Sequence, residues 1–397
     1  MGPVRGHLRG LVTLPVSKSL ANRRAILHAL AGHPIDLPPG GVPDDVLVMH
    51  RALTAQTDVI DIDMAGTAAR FVLAACAATG RSVVLDGAAR MRERPMAALI
   101  DALRSLGADI RCLGADGHLP VRIGGGAMRG GTVRIAADVS SQFTSALLMI
   151  GSVLVDGLRI ETTGRTVSRP YIDMTVTLMR RAGIAVERDA DGWTVPHGRA
   201  EPFTAPIEAD WSAAAFFYAL LARADGGDLF LRGLRADSLQ GDAAVAGIFH
   251  DLFGIQTFFE HDGARIIRSE RLRPERVDLD LNDHPDLAQA LVLLCASLQI
   301  PCQIEGLATL RHKETDRIDA LRMAAEQMGC VVETTDGSIS IHQAQHTPAR
   351  HGYRVFGDHR MAMALAAAGV AADGMDAPEV VTKSFPGFWT ELEHIIR

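Results

Sequence analysis

The chain is 397 residues long, 48% hydrophobic and 22% charged, an ordinary composition for a soluble globular protein with material for two or so domains. Its formal net charge of −7 excludes a nucleic-acid partner on electrostatic grounds, so any anion site must be a local cluster of cations working against the charge of the whole. Cys76, Cys112, Cys295, Cys302 and Cys330 are odd in number and lack CxxC spacing. They exclude a disulfide or zinc framework and suggest a reducing compartment. No signal peptide or transmembrane run is visible, so a cytoplasmic location without a membrane partner is expected.

In chain order the first predicted element is a strand, Gly10-Leu11-Val12-Thr13-Leu14-Pro15. An Ala-rich, nearly apolar helix begins near Ser19, and others of the same kind begin near Thr67, Ser141, Ser212, Asp286 and His359. Helices apolar all round should be buried, and each starts beside a Ser, Thr or Asp able to cap it. A second, amphipathic series ends at Gly107, Gly183, Gly254 and Gly329, each glycine placed as a C′ residue and followed by an alternating strand. Turns at Ala115-Asp116-Gly117, Ala190-Asp191-Gly192, His261-Asp262-Gly263 and Thr335-Asp336-Gly337 then bring back a second strand as a hairpin.

Both series recur at about 74 residues, above the ~20–50 residues of solenoids. The unit is therefore strand, buried helix, strand, amphipathic helix, hairpin. Six buried helices give six units, which divide three and three into domains at 16–207 and at 1–15 plus 208–397. The first interval is short, and the strand before it is expected to pair back into the C-terminal domain. The fold class is α/β in a mixed α+β sense: a two-domain α/β prism, three βαβαββ-type repeats per domain, with the active site in the cleft between them.

The chemistry-bearing residues gather at helix starts. Ser17-Lys18-Ser19-Leu20-Ala21-Asn22-Arg23 puts Lys18 near an N-cap and Arg23 one turn in, a costly placement on an apolar helix unless an anion meets them. Ala65-Gly66-Thr67-Ala68-Ala69-Arg70 is small enough for a ligand to approach backbone N–H groups. Arg90-Met91-Arg92-Glu93-Arg94-Pro95 places three arginines before a helix, a residue type suited to holding an anion in a planar fork. Ser140-Ser141-Gln142 and Ser168-Arg169-Pro170-Tyr171 offer hydroxyls and an amide to a phosphate. Asp283-His284-Pro285-Asp286 opens the fifth buried helix and Gly357-Asp358-His359-Arg360 the sixth. Arg311-His312-Lys313-Glu314-Thr315-Asp316-Arg317 hands over to an amphipathic helix, and Lys383-Ser384-Phe385-Pro386 precedes the last.

Each stretch alone also fits a capped helix start, close packing or a surface loop. Together, Lys18, Arg23, Arg94, Lys313, Arg317, Arg360 and Lys383 would make a strongly positive pocket in an acidic protein, fit for substrates carrying phosphates and carboxylates. Asp286, Glu314 and the Asp44-Asp45 pair are the obvious carboxylates within these motifs. Neighbouring cations would keep them ionised and poised for proton transfer. No His/Cys/carboxylate metal cluster and no GxxxxGK[ST] loop is present, so no metal and no cofactor is called for.

These motifs, in this order and spanning nearly the whole chain, resemble the 5-enolpyruvylshikimate-3-phosphate synthases, the 3-phosphoshikimate 1-carboxyvinyltransferases of aromatic biosynthesis. The resemblance implies two domains of three βαβαββ-type units and, as substrates, shikimate-3-phosphate and phosphoenolpyruvate. Ser140, Ser141, Ser168 and Lys313 would hold the shikimate phosphate, with Ser19 and Arg23 at its carboxylate and ring hydroxyl. Lys18, Arg94, Gln142 and Lys383 would take the phosphoenolpyruvate phosphate, Arg317 and Arg360 its carboxylate, and Gly66 would let it approach the backbone. Lys18 and Gln142 also border the shikimate-3-phosphate side. The implied chemistry is addition–elimination through a tetrahedral intermediate, with Asp286 as base for the hydroxyl (and a contact to shikimate-3-phosphate), Glu314 as acid for the methylene, and Lys18 assisting phosphate departure. A monomer is expected. The sequence departs from the family pattern at Met64, usually Asn, at Phe71, often Pro, and at Thr309, Asn in some members. Gly66 is retained, which implies sensitivity to glyphosate, a phosphoenolpyruvate-site inhibitor.

The nearest alternative is the sister enolpyruvyl transferase acting on UDP-N-acetylglucosamine. It normally carries a loop cysteine and a Lys-Asn motif, where this chain has arginines before Pro95 and Lys18-Ser19. An RNA 3′-phosphate cyclase would need a basic face, against the charge of −7. A catalytically inactive anion-binding homologue is opposed by the retained Lys18, Asp286, Glu314, Arg317, Arg360 and Lys383.

Overall fold

A computed structural model describes residues 6–126, 128–342 and 352–396. Strand β1 (His7–Thr13) leads to helices α1 (Lys18–Ala31) and α2 (Asp44–Thr54). Next come β2 (Val59–Asp61), α3 (Gly66–Thr79), β3 (Val83–Asp86), α4 (Ala89–Glu93), α5 (Ala97–Ser105), β4 (Ile110–Cys112) and β5 (Val121–Ile123). The pattern repeats as β6 (Gly131–Ala136), α6 (Ser141–Gly151), β7 (Leu158–Thr163), α7 (Arg169–Arg181), β8 (Glu187–Arg188) and β9 (Gly192–Val195). It continues as α8 (Trp211–Arg223), β10 (Gly226–Arg232), α9 (Val245–Phe253), β11 (Gln256–Glu260) and β12 (Gly263–Arg268). Then follow β13 (Val277–Asp280), α10 (Ala288–Leu298), β14 (Cys302–Glu305), α11 (Arg317–Gln327), β15 (Val331–Thr334) and β16 (Ile339–His342), and finally α12 (His359–Ala367) and α13 (Phe388–Ile396).

Two compact units result: an N-terminal unit of Lys18–Pro39 and Asp45–Ile207, and a C-terminal unit of Met1–Ser17, Gly40–Asp44 and Glu208–Arg397. Each contains three apolar helices that pack on one another, α1, α3 and α6 in the first and α8, α10 and α12 in the second. Every residue of α8 is buried, as expected for a helix with no polar stripe. Amphipathic helices and small sheets surround these helices.

Among the described residues there are four four-stranded sheets, β2-β3-β5-β4, β6-β7-β9-β8, β1-β10-β12-β11 and β13-β14-β16-β15. In each, the first two strands are parallel, the buried helix lies between them in sequence, and an antiparallel hairpin completes the sheet. In the third of these sheets the parallel partner comes from the start of the chain: β1 runs beside β10 over His7–Thr13.

Four of the six buried helices are accompanied by such a sheet, and the units built on α1 and α12 form none among the described residues. After α1 the chain runs through Pro34, Pro38, Pro39 and Pro43, which supply no amide donors for a ladder. Near α12 the strand pairing is a single bridge between Tyr353 and Met375, followed by 3-10 turns at Ala372–Gly374 and Pro378–Lys383.

The helix-ending glycines follow local physics. Gly107, Gly183, Gly254 and Gly329 all have positive φ, from 69° to 95°, where a Cβ is strained. Gly306, at φ 76°, is tighter still. A Cβ there would run into the Asn282 amide nitrogen and the Asp280 carboxylate, which hold the turn leading to Asp286. Gly254→Ala, with Leu272 Cβ at 3.4 Å and the Glu270 carbonyl at 3.9 Å, is expected to cost about 1 kcal/mol in urea unfolding. Gly306→Ala is expected to cost about 2–4 kcal/mol, since clash adds to strain. Equal costs would remove the packing part of this account.

Candidate active site

The N-terminal unit gathers its polar groups at the starts of its three buried helices. Gln142 Nε2 on α6 donates to Thr67 Oγ1 on α3 at 3.2 Å, so those two first turns lie side by side. Ser140 caps α6, accepting from Gln142 N at 3.3 Å. Ser168 begins α7 in the left-handed region, φ 51°, and makes no side-chain cap. This is a strained backbone for a residue with a Cβ, of the kind that clusters at functional sites. Lys18 Nζ meets Asp45 Oδ2 at 2.8 Å. Arg23, 2% exposed, reaches from α1 to Thr175 Oγ1 at 2.6 Å, Ser145 Oγ at 3.3 Å, and the Tyr171 and Ser19 carbonyls at 3.1 Å.

Gly66 opens α3 beneath two guanidinium groups. Arg70 Nη1 donates to the Gly66 carbonyl at 3.0 Å, and Arg94 Nη1 reaches the Met64 carbonyl at 3.5 Å. A Cβ on residue 66 would sit 2.6 Å from both terminal nitrogens of Arg94 and 2.7 Å from Arg70 Nη1, so only glycine leaves this arrangement intact. Of the three arginines around Pro95, Arg94 alone is buried. Arg92 is spent on Asp86 at 2.7 Å and Arg90 on Glu93 at 2.9 Å.

In the C-terminal unit, Asp286, Lys313, Glu314, Arg317 and Arg360 form one network. Arg317 is 1% exposed. Its Nε donates to Asp358 Oδ2 at 2.6 Å, its Nη2 to Asp358 Oδ1 at 3.2 Å and Glu314 Oε2 at 2.9 Å, and its Nη1 to Asp286 Oδ1 at 3.1 Å. Asp286 also accepts from Arg360 Nη2 at 3.1 Å and Lys313 Nζ at 3.5 Å. Burial opposes the charge of Asp286, but Arg360, Lys313 and Arg317 outweigh it and hold the carboxyl well below the usual carboxylate range. Burial likewise opposes the Arg317 cation, and Asp358, Glu314 and Asp286 reverse that too. Lys383 ends the 3-10 turn that packs against α12.

Glu314 bonds to Arg317 from the loop, one turn before the helix, since α11 begins at Arg317 and Asp316 is its cap. Asp286 lies in a 3-10 turn, Pro285–Leu287, ahead of α10.

Asp45, of the Asp44-Asp45 pair noted in the sequence, is the counter-ion of Lys18, 27 residues away, whereas two participants escaped the sequence reading. Asp358 reads as a cap, and it does accept from Arg360 N at 2.9 Å, but the same carboxylate chelates Arg317. Asp242, 1% exposed, accepts from Ser212 Oγ on the first turn of α8. Burial and the nearby Asp286 push its carboxyl up to about 6, against the pull of Arg360. Their only sequence signal was an Asp beside a helix start, which a cap explains equally well. Among the described residues no group of three or more His, Cys, Asp or Glu could hold a metal ion, and no helix is long and apolar enough to cross a membrane.

The sequence model of the family described as EPSP synthase (3-phosphoshikimate 1-carboxyvinyltransferase) matches residues 41–392. A 3-phosphoshikimate 1-carboxyvinyltransferase of Bacteroides fragilis (strain YCH46) is 39% identical, covering 97% of this chain and 95% of its own. One from Bordetella bronchiseptica is 37% identical, covering 98% and 96%. A solved structure of EPSP synthase from Acinetobacter baumannii superposes with a TM-score of 0.73 at 22% identity, over 99% of this chain and 97% of that one, and so shares the fold. On this evidence the chain belongs to the EPSP synthase family and carries that family's 3-phosphoshikimate 1-carboxyvinyltransferase activity.

Proposed function

We propose that the helix starts of both units serve one substrate pair, shikimate-3-phosphate and phosphoenolpyruvate, and that the network around Asp286 moves the protons. The observation that carries this reading is the convergence of Arg317, Arg360 and Lys313 on one carboxylate. Ser140, Ser141, Ser168 and Lys313 receive the shikimate phosphate, and Ser19 and Arg23 its carboxylate and hydroxyl side. Lys18, Arg94, Gln142 and Lys383 receive the phosphoenolpyruvate phosphate beside Gly66, while Arg317 and Arg360 receive its carboxylate. The protein acts as a monomer in the cytoplasm.

The ion pairs of the resting site explain how the base is switched on. Arg317 has Nε and Nη2 committed to Asp358 and Glu314 and offers Nη1, the group now on Asp286. A substrate carboxylate arriving at Nη1 and at Arg360 takes the place of Asp286. The Asp286 carboxylate then loses two stabilising cations and becomes more basic as the hydroxyl reaches it. The incoming anions likewise raise the proton affinity of Glu314. Glu314 delivers a proton to the methylene carbon, the 5-hydroxyl oxygen bonds to the adjacent carbon, and the hydroxyl proton passes to Asp286. The tetrahedral intermediate then returns a methyl proton to Glu314 while the carbon–oxygen bond to phosphate breaks, with Lys18 balancing the departing charge.

Glu314→Gln is expected to lower kcat by about 10²–10⁴-fold and to stop deuterium entering the methylene group during turnover in D2O. Normal turnover, or undiminished exchange, would remove Glu314 from this role. Asp286→Asn is expected to lower kcat similarly while tightening phosphoenolpyruvate binding, because Arg317 and Arg360 are released. Weaker binding by calorimetry would contradict the exchange of ion pairs.

Asp242 gives a pH test. Between the ordinary value of 3.8 and about 6, the folded chain holds a proton that the unfolded chain has lost, so this group lowers stability as pH rises through that window. Asp242→Asn removes the effect. Its stability relative to wild type is expected to improve by about 2–3 kcal/mol between pH 4 and pH 7, at ~1.4 kcal/mol per pKa unit. Urea melts showing a pH-independent difference would contradict the assignment.

A further inference from the structure

Arg23 is buried in a manner unlike Arg317. Every acceptor it meets is neutral: two hydroxyls, of Thr175 and Ser145, and two carbonyls, of Ser19 and Tyr171. Those bonds engage Nε, both Nη2 hydrogens and one Nη1 hydrogen, which leaves one Nη1 hydrogen of the five a guanidinium carries. The charge is met by aromatic faces. The Phe71 ring on α3 lies 5.3 Å from Arg23 Cζ and the Tyr171 ring on α7 lies 6.0 Å away, both within cation–π range. Phe71 is fully buried, and it stands where the resemblance to the family leads one to expect proline.

We propose that Phe71 is a positioning residue for shikimate-3-phosphate: with Tyr171 it clasps the Arg23 guanidinium, holding it oriented and charged for the substrate without neutralising it. The inference rests on the reading above that Arg23 meets shikimate-3-phosphate. A carboxylate in place of Phe71 would stabilise the cation equally well, but it would occupy the N–H groups and cancel the field that draws an anion. A ring stabilises the charge and leaves the remaining N–H available. Burial holds the Arg23 pKa down at about 10, still high enough to keep it charged at neutral pH. The rival account is that Phe71 only fills volume between α1 and α3.

Phe71→Ala would open a cavity and endanger folding, so the test uses Phe71→Leu and Phe71→Met, which keep apolar bulk and lose the ring. Shikimate-3-phosphate and phosphoenolpyruvate affinities are measured by calorimetry and KM for wild type, each variant, Arg23→Met and the double variants. A thermal melt of each follows. Phe71→Leu is expected to weaken shikimate-3-phosphate binding by about five- to thirtyfold, the range for a desolvated cation–π contact of ~1–2 kcal/mol. Phosphoenolpyruvate affinity should stay unchanged, and the same substitution should have no further effect in the Arg23→Met background. If Arg23→Met leaves shikimate-3-phosphate binding intact, the underlying reading of Arg23 fails. If Arg23→Met weakens binding but Phe71→Leu and Phe71→Met do not, the positioning role of Phe71 is overturned. An equal loss in both backgrounds overturns it too, because the ring then acts through packing alone.

Discussion

Arg317 meets carboxylates from three elements while only 1% exposed. Removing a guanidinium from water costs several kcal/mol, and the cost is recovered only if the partners are well placed and their other lone pairs are satisfied. Here the placement is shared. Asp358 takes two of the donors and, with the same carboxylate, caps α12 through Arg360 N. The orientation of Arg317 and the start of α12 are therefore set by one side chain. Because Arg360 is the second residue after that cap, the position of its guanidinium, and through it that of Asp286, follows from the same bond. The loop carrying Glu314, the turn before α10 and the first turn of α12 cannot shift independently.

That coupling bears on how an acidic protein keeps a crowd of cations folded before any substrate is present. Lys18 is held by Asp45, Arg360 and Lys313 by Asp286, and Arg317 by Asp358 and Glu314. In the mechanism proposed above, the resting carboxylates act as placeholders for substrate anions, and they limit the repulsion that would otherwise oppose folding. Some binding energy is spent in displacing them. In return, a displaced carboxylate is a better base than a paired one, so binding of the second anion and activation of the first proton acceptor become a single event.

Periodicity and turn chemistry made most of the fold legible. The glycines at 107, 183, 254 and 329 adopt the left-handed conformation that a C′ position demands, and the turns at Asp-Gly pairs close the four hairpins. These features depend on a few adjacent residues, so they can be read locally. That the units on α1 and α12 carry no sheet among the described residues could not be read from helix count alone, because helix count says nothing about whether flanking prolines leave donors for a ladder. Within the candidate site, the cations stood out, since Lys and Arg at an apolar helix start have no local excuse. Two of the acidic residues among them did not. Asp358 and Asp242 look like ordinary caps or turn residues, and only tertiary packing makes them partners of residues 41 and 30 positions away.

The contrast between Arg23 and Arg317 carries the argument one step further. Both are buried arginines near the start of a helix, yet one is surrounded by neutral oxygens and rings and the other by carboxylates. A surround of carboxylates makes a guanidinium rigid and raises its proton affinity, but it leaves little net field to attract a ligand. A neutral surround lowers the pKa, as burial does for Arg23, and leaves the field intact. The first environment suits a group whose task is to hold carboxylates that exchange protons, and the second suits a group that must draw a substrate anion. The same residue type is thereby differentiated by its neighbours: by Phe71, Tyr171, Ser145 and Thr175 in one unit, and by Asp286, Glu314 and Asp358 in the other.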